Sequence, residues 1–448
     1  MINKMRGLLG LLLLGTTWNT LAAAPGSAAM PGVPPGQQHA LDAALSAIVD
    51  DPAHPLASLS VLAIRHGKVS YQQQFGYRYL GATPADSLPV TPATLFRIAS
   101  VSKMMTTLGL MRLVEQGTLS LDQDVGIYLG FSLHNPHFPQ QPVTLRSLLS
   151  HTSSLRDAGG YAWGPERSLR DVFTAGGDLM WDTAAPPGRY FTYANLNWGV
   201  IGTVMENVTG ERFDLLMRRL LLDPMDLRGG YHPAAFPAED VANTATLYRK
   251  RTLDTEAWQP HGPWIAQVDD FPARPPAAPA GLARYVIGSN ATVFSPTGGL
   301  RISAAGLGKV MQMLFDGGRY QGRQIVQPAS IALMFGRQWQ LAPGGDNGDS
   351  ERGLYRAWGL GNQQFDASPG QGNRLVEGAG FHAVGHLGEA YGLVSAFVLD
   401  FKNKNGMVML LGGTGSDPAQ YPGRYSAMGR SEERILTALY RGAIDKHE

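Results

Sequence analysis

The sequence predicts an α/β fold of the α+β kind: an antiparallel sheet flanked by terminal helices, with a mostly helical domain inserted between the two chain segments that build the sheet. Three observations carry this. A helical pattern followed by a strand hairpin opens the chain. A strand hairpin followed by a helical pattern closes it. The stretch between them reads mainly as helices. The 448 residues are 44% hydrophobic and 16% charged, the composition of a globular chain with enough apolar residues for sizeable cores.

Residues 1–24 read as a signal peptide. Lys4 and Arg6 precede the apolar, leucine-rich run Gly7 to Gly15, and Thr20-Leu21-Ala22-Ala23-Ala24 supplies small residues for cleavage. That run falls short of the roughly 20 residues a membrane span needs, so an exported protein, periplasmic or secreted, is expected, with no stable membrane insertion. An uncleaved anchor is the alternative reading. Residues 25–36, rich in proline, glycine and small residues, read as a linker.

Residues 37–110 and 290–446 are expected to form the sheet domain. Leu41, Ala44, Leu45, Ile48 and Val49 recur at helical spacing. Leu59 to Ile64 reads as a strand, His66-Gly67 as a turn and Val69-Ser70-Tyr71 as the returning strand. Leu393 to Leu399 and Met407 to Leu411 flank Asn403-Lys404-Asn405-Gly406 as a second hairpin. Ser431 is placed as the cap of a helix holding Ile435, Leu436, Leu439 and Tyr440. The inserted region, 111–289, follows a helix from Met104 to Glu115 that Gly117 ends; Leu145 to Leu149 and Phe213 to Leu222 also read as helices. Residues 226–289 are less regular, with Pro272-Ala273-Arg274-Pro275-Pro276 as a surface excursion, and are expected to shape one wall of a cleft.

Composition removes several function classes. A formal net charge of +1 gives no electrostatic case for nucleic acid or an anionic membrane. Without cysteine there are no disulfides, no thiolate catalysis and no zinc–cysteine sites. No Gly-x-Ser-x-Gly, His-Glu-x-x-His or glycine-rich phosphate loop occurs. Asp346, Asp349 and Glu351 cluster in a glycine-rich stretch that reads as a solvated loop, since the calcium-loop spacing is missing. No metal or organic cofactor is called for.

Three short patterns each occur once: Ser100-Val101-Ser102-Lys103, Tyr193-Ala194-Asn195 and His386-Leu387-Gly388. Lysine is scarce, and Lys103 alone has a serine three positions before it. On a helix that spacing puts both side chains on one face. A neutral amine there can take the serine proton and make the alcohol a nucleophile. Singly, each pattern has a plainer explanation: Ser100 as a helix N-cap, Tyr193 as a half-buried ring, His386 as a satisfied structural side chain. Their conjunction argues for catalysis.

Phe96-Arg97-Ile98-Ala99-Ser100-Val101-Ser102-Lys103 resembles the active-site segment of the serine β-lactamase and penicillin-binding protein superfamily. It is most similar to the branch holding class C β-lactamases, D-Ala-D-Ala carboxypeptidases, D-aminopeptidases and β-lactamase-like esterases. Pro187 to Asn195 resembles that branch's second motif. Leu148 to Leu155 resembles a segment common in it, with Ser154 where glycine is usual. Gly298 to Ser303 and Gly385 to Gly388 complete the set, and the likeness runs from about Leu41 to about Leu439. It implies a β-lactamase/transpeptidase-like fold and a serine hydrolase acting through an acyl-enzyme on a carboxylic ester or a D-residue-containing peptide or amide. A β-lactamase or D-Ala-D-Ala carboxypeptidase is the alternative, and a non-catalytic cell-wall-binding or assembly protein is the alternative from another class.

The resemblance also implies the roles. Ser100 is the nucleophile. Lys103 and Tyr193 share the proton work, with the acylation base left open between them. A nearby Lys103 ammonium would lower the Tyr193 pKa. Asn195 would bind a substrate amide and the lysine, and His386 would orient substrate and the proton network. Gly388 would let the strand approach the substrate, and the backbone N–H groups of Ser100 and Glu389 would form the oxyanion hole. Most β-lactamases carry Lys-Thr-Gly where this chain has His386-Leu387-Gly388. Histidine, largely neutral at pH 7, lacks that lysine's permanent cation. For Glu389 two readings stand: a side chain paired with an arginine, or one that faces the cleft and favours a substrate ammonium.

Overall fold

The computed structural model describes residues 34–252, 256–366, 372–378 and 380–445. The expected signal peptide and residues 25–33 of the expected linker lie outside the described residues. Helix α1 (Pro35–Val49) begins inside the stretch read as linker. Proline suits this place, because the first turn of a helix needs no N–H from it. Strands β1 (Ser58–Arg65) and β2 (Lys68–Tyr79) follow as a hairpin. His66 and Gly67 both take positive φ, 49° and 78°, as a tight two-residue turn between twisted strands requires.

Helices α2 (Ser102–Glu115), α3 (Leu196–Thr209) and α4 (Ala304–Phe315) are the longest of the central part. The last three long strands are β3 (Ala383–Ala390), β4 (Leu393–Asp400) and β5 (Asn405–Leu411), and helix α5 (Arg430–Leu439) comes after them. The sheet order is β3-β4-β5-β1-β2, so the two chain ends meet at the β5–β1 pair, with Leu59 opposite Leu411 and Ile64 opposite Gly406. Short strands extend both sides to nine. All nine strands pair antiparallel.

Strand side chains alternate between two cores. Leu62, Ile64, Phe397, Leu399, Val408 and Leu410 join one cluster; Val61, Ala63, Ala396, Val398, Met407 and Met409 join the other. A sheet covered on both faces needs apolar residues on both, which is why β4 and β5 read as continuous hydrophobic runs rather than as alternating ones. Helices α1 and α5 cover one face, contributing Leu41, Leu45, Ile435 and Leu436. The other face belongs to a larger cluster that continues without a break through Leu108 of α2, Leu148, Val200 of α3 and Leu307 of α4. The sheet and the helical region therefore share one core, and a boundary at residue 110 would fall inside α2.

Two expectations need correction. Helix α5 starts at Arg430, so Ser431 lies in its first turn and does not cap it; the Glu432 carboxylate accepts from the Gly429 N–H instead. Residues 226–289 are also less irregular than expected. They hold a helix, Ala238–Ala242, and strands Leu247–Arg249 and Ile265–Val268, the first paired in parallel with Gly413–Thr414. Such strands are too short for period-2 alternation to register. Pro272 to Pro275 are exposed, as a surface excursion should be.

Candidate active site

The chain passes from the short strand Phe96–Arg97 through a single 3₁₀ turn, Ala99–Val101, into α2. Ala99 takes a φ of 45°, a left-handed conformation that costs an L-residue roughly 1–2 kcal/mol. This bend sets Ser100 at the start of the helix, half-exposed, with Lys103 one turn on and fully buried. The Lys103 ammonium donates to Ser100 Oγ at 2.9 Å, Asn195 Oδ1 at 2.8 Å and the Thr297 carbonyl at 3.2 Å. Neutral acceptors fill its shell, and among the described residues no carboxylate lies within ion-pair distance of it. Burial therefore dominates and lowers its pKa to about 7, partly opposed by the charge of Asp157.

Tyr193 sits in an aromatic sandwich. Its ring stacks on His151 at 4.5 Å and on Tyr355 at 5.4 Å, and its hydroxyl interacts with the Ser100 side chain. The expected lowering of its pKa is overturned. Burial raises it well above the ordinary value, Tyr355 raises it further, and the Ser100 hydrogen bond offsets only part. The geometry explains this: Lys103 Nζ lies 4.9 Å from the centroid of the tyrosine ring, placing the cation over its face. Tyr193 is a neutral phenol at ordinary pH.

Asn195 is held from both ends. Its Oδ1 accepts from Lys103 and from Thr297 Oγ1, the latter at 2.9 Å, while its Nδ2 donates to Asp157 at 3.0 Å. Asp157 also accepts from the backbone N–H groups of Asn195 and Leu196, at 2.8 and 3.0 Å, and so places a carboxylate at the N-terminus of α3. The lysine contact expected of Asn195 is present.

Strand β3 forms the opposite wall. On β3 the strand Gln363–Phe365 reaches Ala383, Val384 and Gly385, so among the described residues one edge of β3 has no neighbouring strand from His386 onward. A Cβ built on Gly388 would lie 2.9 Å from both Ser100 N and Ile98 O and 2.5 Å from Ser395 Oγ. Only glycine lets the strand come this close to the nucleophile's turn. Ser395 Oγ donates to the Ile98 carbonyl at 2.9 Å and ties β4 to the same turn.

His386 is buried, and its pKa is lowered to about 3, by burial first and then by Lys103. The neutral ring donates to Leu387 O through Nδ1, which fixes the tautomer and leaves Nε2 as a lone pair with no hydrogen-bond partner among the described residues. It makes no direct hydrogen bond to Ser100, Lys103 or Tyr193.

Glu389 is exposed, on the same face of β3 as Leu387 and hence on the side of α5. It makes no ion pair among the described residues, so the arginine-paired reading is overturned. Its charge is felt by Arg249, Tyr355 and Glu432.

These residues line a cleft of about 990 Å³, including Ser100, Tyr193, Asn195, His386, Gly388 and Glu389. Among its lining residues none falls in 226–290, so that segment does not form the expected wall. Arg249 and Trp258 instead border a smaller hollow of about 230 Å³ that also touches Glu389.

Sequence reasoning missed Asp157, Thr297 and Ser395. Ser395 had a visible signal, a lone hydroxyl in the apolar run Leu393 to Leu399. Asp157 and Thr297 had none, since their partners lie 38 and 102 residues away. His151 lies in a segment noted for its resemblance alone. Its Nδ1 accepts from the Ala194 N–H at 3.0 Å, so it holds the backbone beside Tyr193 as well as its ring.

A mixed α/β fold that sets a serine against a buried lysine without a counter-ion defines the class: the serine hydrolases of the β-lactamase fold. Residues 41–427 match the Beta-lactamase family, and the chain belongs to it. Penicillin-binding protein 4* of Bacillus subtilis (strain 168) is 30% identical over 160 residues, which are 34% of this chain and 32% of that protein. The chain thus spans about a third of the length of the curated relatives it matches. Among solved structures, EstCE1, described as a hydrolase with promiscuous acyltransferase activity, is 22% identical with a TM-score of 0.61, covering 90% of this chain and 99% of that one. The D-amino acid amidase of Ochrobactrum anthropi SV3 complexed with D-phenylalanine is 19% identical with a TM-score of 0.60 over the same shares.

Proposed function

We propose that this protein is an exported serine hydrolase that cleaves a carboxylic ester or a D-residue-containing amide through an acyl-enzyme on Ser100. One observation carries this: a lysine amine with no carboxylate in ion-pair contact among the described residues, tuned to about 7, hydrogen-bonded to the serine. In its neutral form Lys103 takes the Ser100 proton as Oγ forms a bond to the substrate carbonyl carbon. The oxygen charge that develops meets the N–H groups of Ser100 and Glu389. Removing one such donor costs about 2.7–4 kcal/mol. As the tetrahedral species collapses, the bond to the leaving group breaks. Tyr193 gives its proton to that group, while Lys103 keeps the proton it took from Ser100. Tyr193 acts as a neutral relay, in keeping with its raised pKa. Water then attacks the acyl carbon and gives a proton to the Tyr193 oxygen; the Oγ–acyl bond breaks, Ser100 Oγ takes its proton back from the Lys103 ammonium, and the acid leaves.

EstCE1 and the amidase support ester and amide substrates through the shared fold alone. The neutral His386 disfavours β-lactams, whose carboxylate it offers no cation. Export rests on Lys4, Arg6 and the apolar run that follows; N-terminal sequencing of the protein from a periplasmic fraction checks it. The reading of the reaction is tested with p-nitrophenyl butyrate, D-amino acid amides and nitrocefin as substrates and a fluorophosphonate as label. The wild type should hydrolyse ester or amide in preference to nitrocefin, and Ser100→Ala should abolish turnover and labelling. Labelling that survives in Ser100→Ala refutes the nucleophile, and a wild type that turns over none of these substrates leaves a peptidase or a binder.

A further inference from the structure

Arg97 lies three residues before the nucleophile and lines the cleft. Its neighbour across the short strand pair, Arg301, is neutralised by Asp269 through two hydrogen bonds of 3.0 and 2.7 Å. Arg97 has no such partner. Its Nε donates to the Gly298 carbonyl at 3.1 Å, and among the described residues its two terminal nitrogens meet no acceptor. The guanidinium lies 5.1 Å from the centroid of the Tyr391 ring. Burial and then Arg301 lower its pKa to about 10, partly opposed by the charge of Asp269, and at neutral pH it stays charged.

Two phenols share this wall. Tyr161 and Tyr391 line the cleft and are 43% and 44% exposed, and Arg97 feels both electrostatically. Neither hydroxyl has a hydrogen-bond partner among the described residues. Arg97 and the two phenols thus offer a planar pair of guanidinium donors and two hydroxyl donors, unspent and open to the cleft. A carboxylate has about four acceptor positions and takes a guanidinium two-pronged.

Position fixes which part of a substrate this wall meets. Tyr391 follows the last residue of β3, in the turn to β4, and His386 lies on the other side of Gly388. The charge is therefore sensed away from the reacting carbonyl, at the opposite end of the strand from His386. The acids Glu389 and Glu432 stand on the α5 side of the same cleft.

We propose that Arg97, Tyr161 and Tyr391 form a carboxylate-binding subsite that selects acyl substrates bearing an anionic group remote from the bond that is broken. This rests on the acyl-enzyme reading of Ser100 and narrows its substrate class to dicarboxylic monoesters or amides and their relatives.

The test compares p-nitrophenyl hemiglutarate with p-nitrophenyl valerate, acyl chains of equal length with and without the charge. The wild type should favour the hemiglutarate at least tenfold in kcat/KM, and R97Q should lose that preference, chiefly through KM. Tyr391→Phe, a change at an exposed turn, should reduce it less. Glutarate binding followed by calorimetry needs no turnover. It should be at least tenfold weaker in R97Q than in the wild type, with R97K between them. A wild type that treats both esters alike, an R97Q that loses both equally, or a wild type that does not bind glutarate overturns the subsite. Glutarate binding without hydrolysis of either ester overturns the acyl-enzyme reading and leaves the subsite standing.

Discussion

Lys103 on the α2 wall and His386 on the β3 wall line the same site, and burial pushes both down the pH scale with opposite results. The lysine falls from 10.5 to about 7; the histidine falls from 6.5 to about 3. The shift that brings the amine into working range takes the imidazole out of it. Burial makes a base useful only where the starting basicity is high enough to spare. The walls differ in their surroundings as well. Lys103 has three oxygen acceptors and a distant carboxylate in Asp157, while His386 has one carbonyl and the repelling Lys103.

The largest test of this contrast is Lys103→Arg. A guanidinium stays charged throughout the accessible pH range and cannot take the serine proton, so kcat/KM should fall by about 10³-fold or more, read with p-nitrophenyl butyrate. Activity within tenfold of wild type would remove Lys103 as the base. Next comes the wild-type pH profile. The neutral amine is the active form, so kcat/KM should rise with pH through about 7 and then level off. A rate already flat at pH 6 would show that the amine is not the group that titrates. Asp157→Asn has a smaller and directional effect. Removing the charge that raises the Lys103 pKa should move the acid limb to lower pH, and a limb that moves upward contradicts the assignment. The smallest shift belongs to His386→Gln. If the ring is neutral, the limb stays in place whatever happens to the rate. If it carries charge, its removal relieves Lys103 and the limb rises.

The same contrast separates what the sequence could say from what it could not. Ser100 and Lys103 were legible because their spacing carries its own geometry, and Tyr193 and Asn195 because the segment around them resembles the family's second motif. The structure brings these four together through Lys103 Nζ and the Tyr193–Ser100 contact. The sheet was legible too, since the hairpins at both ends announce themselves by apolar runs on either side of a turn, His66-Gly67 in the first and Asn403 to Gly406 in the last. Titration was not legible. Tyr193 is near Lys103, as expected, yet its proton is held more tightly, because that effect depends on depth and on the lysine meeting the ring face rather than the hydroxyl. Nor were the supports. Asp157 reaches Asn195 across 38 residues, and Thr297 reaches it across 102. The open edge of β3 follows from a neighbouring strand that stops at Gly385, a length no single segment encodes.

The pairing of β1 with β5 also bears on how the chain is made. Leu59 finds its partner Leu411 about 350 residues later, so the middle of the sheet cannot close until nearly the whole polypeptide has been synthesised. At translation rates of about 5–20 residues per second, β1 and β2 wait roughly 20 to 70 s for that partner. During that interval the hairpin has an unsatisfied edge, which exposes it to chaperones, to misassociation and to proteases. A lesion in the last strands, far from Ser100 in sequence, would therefore first show itself as lost yield rather than as lost activity.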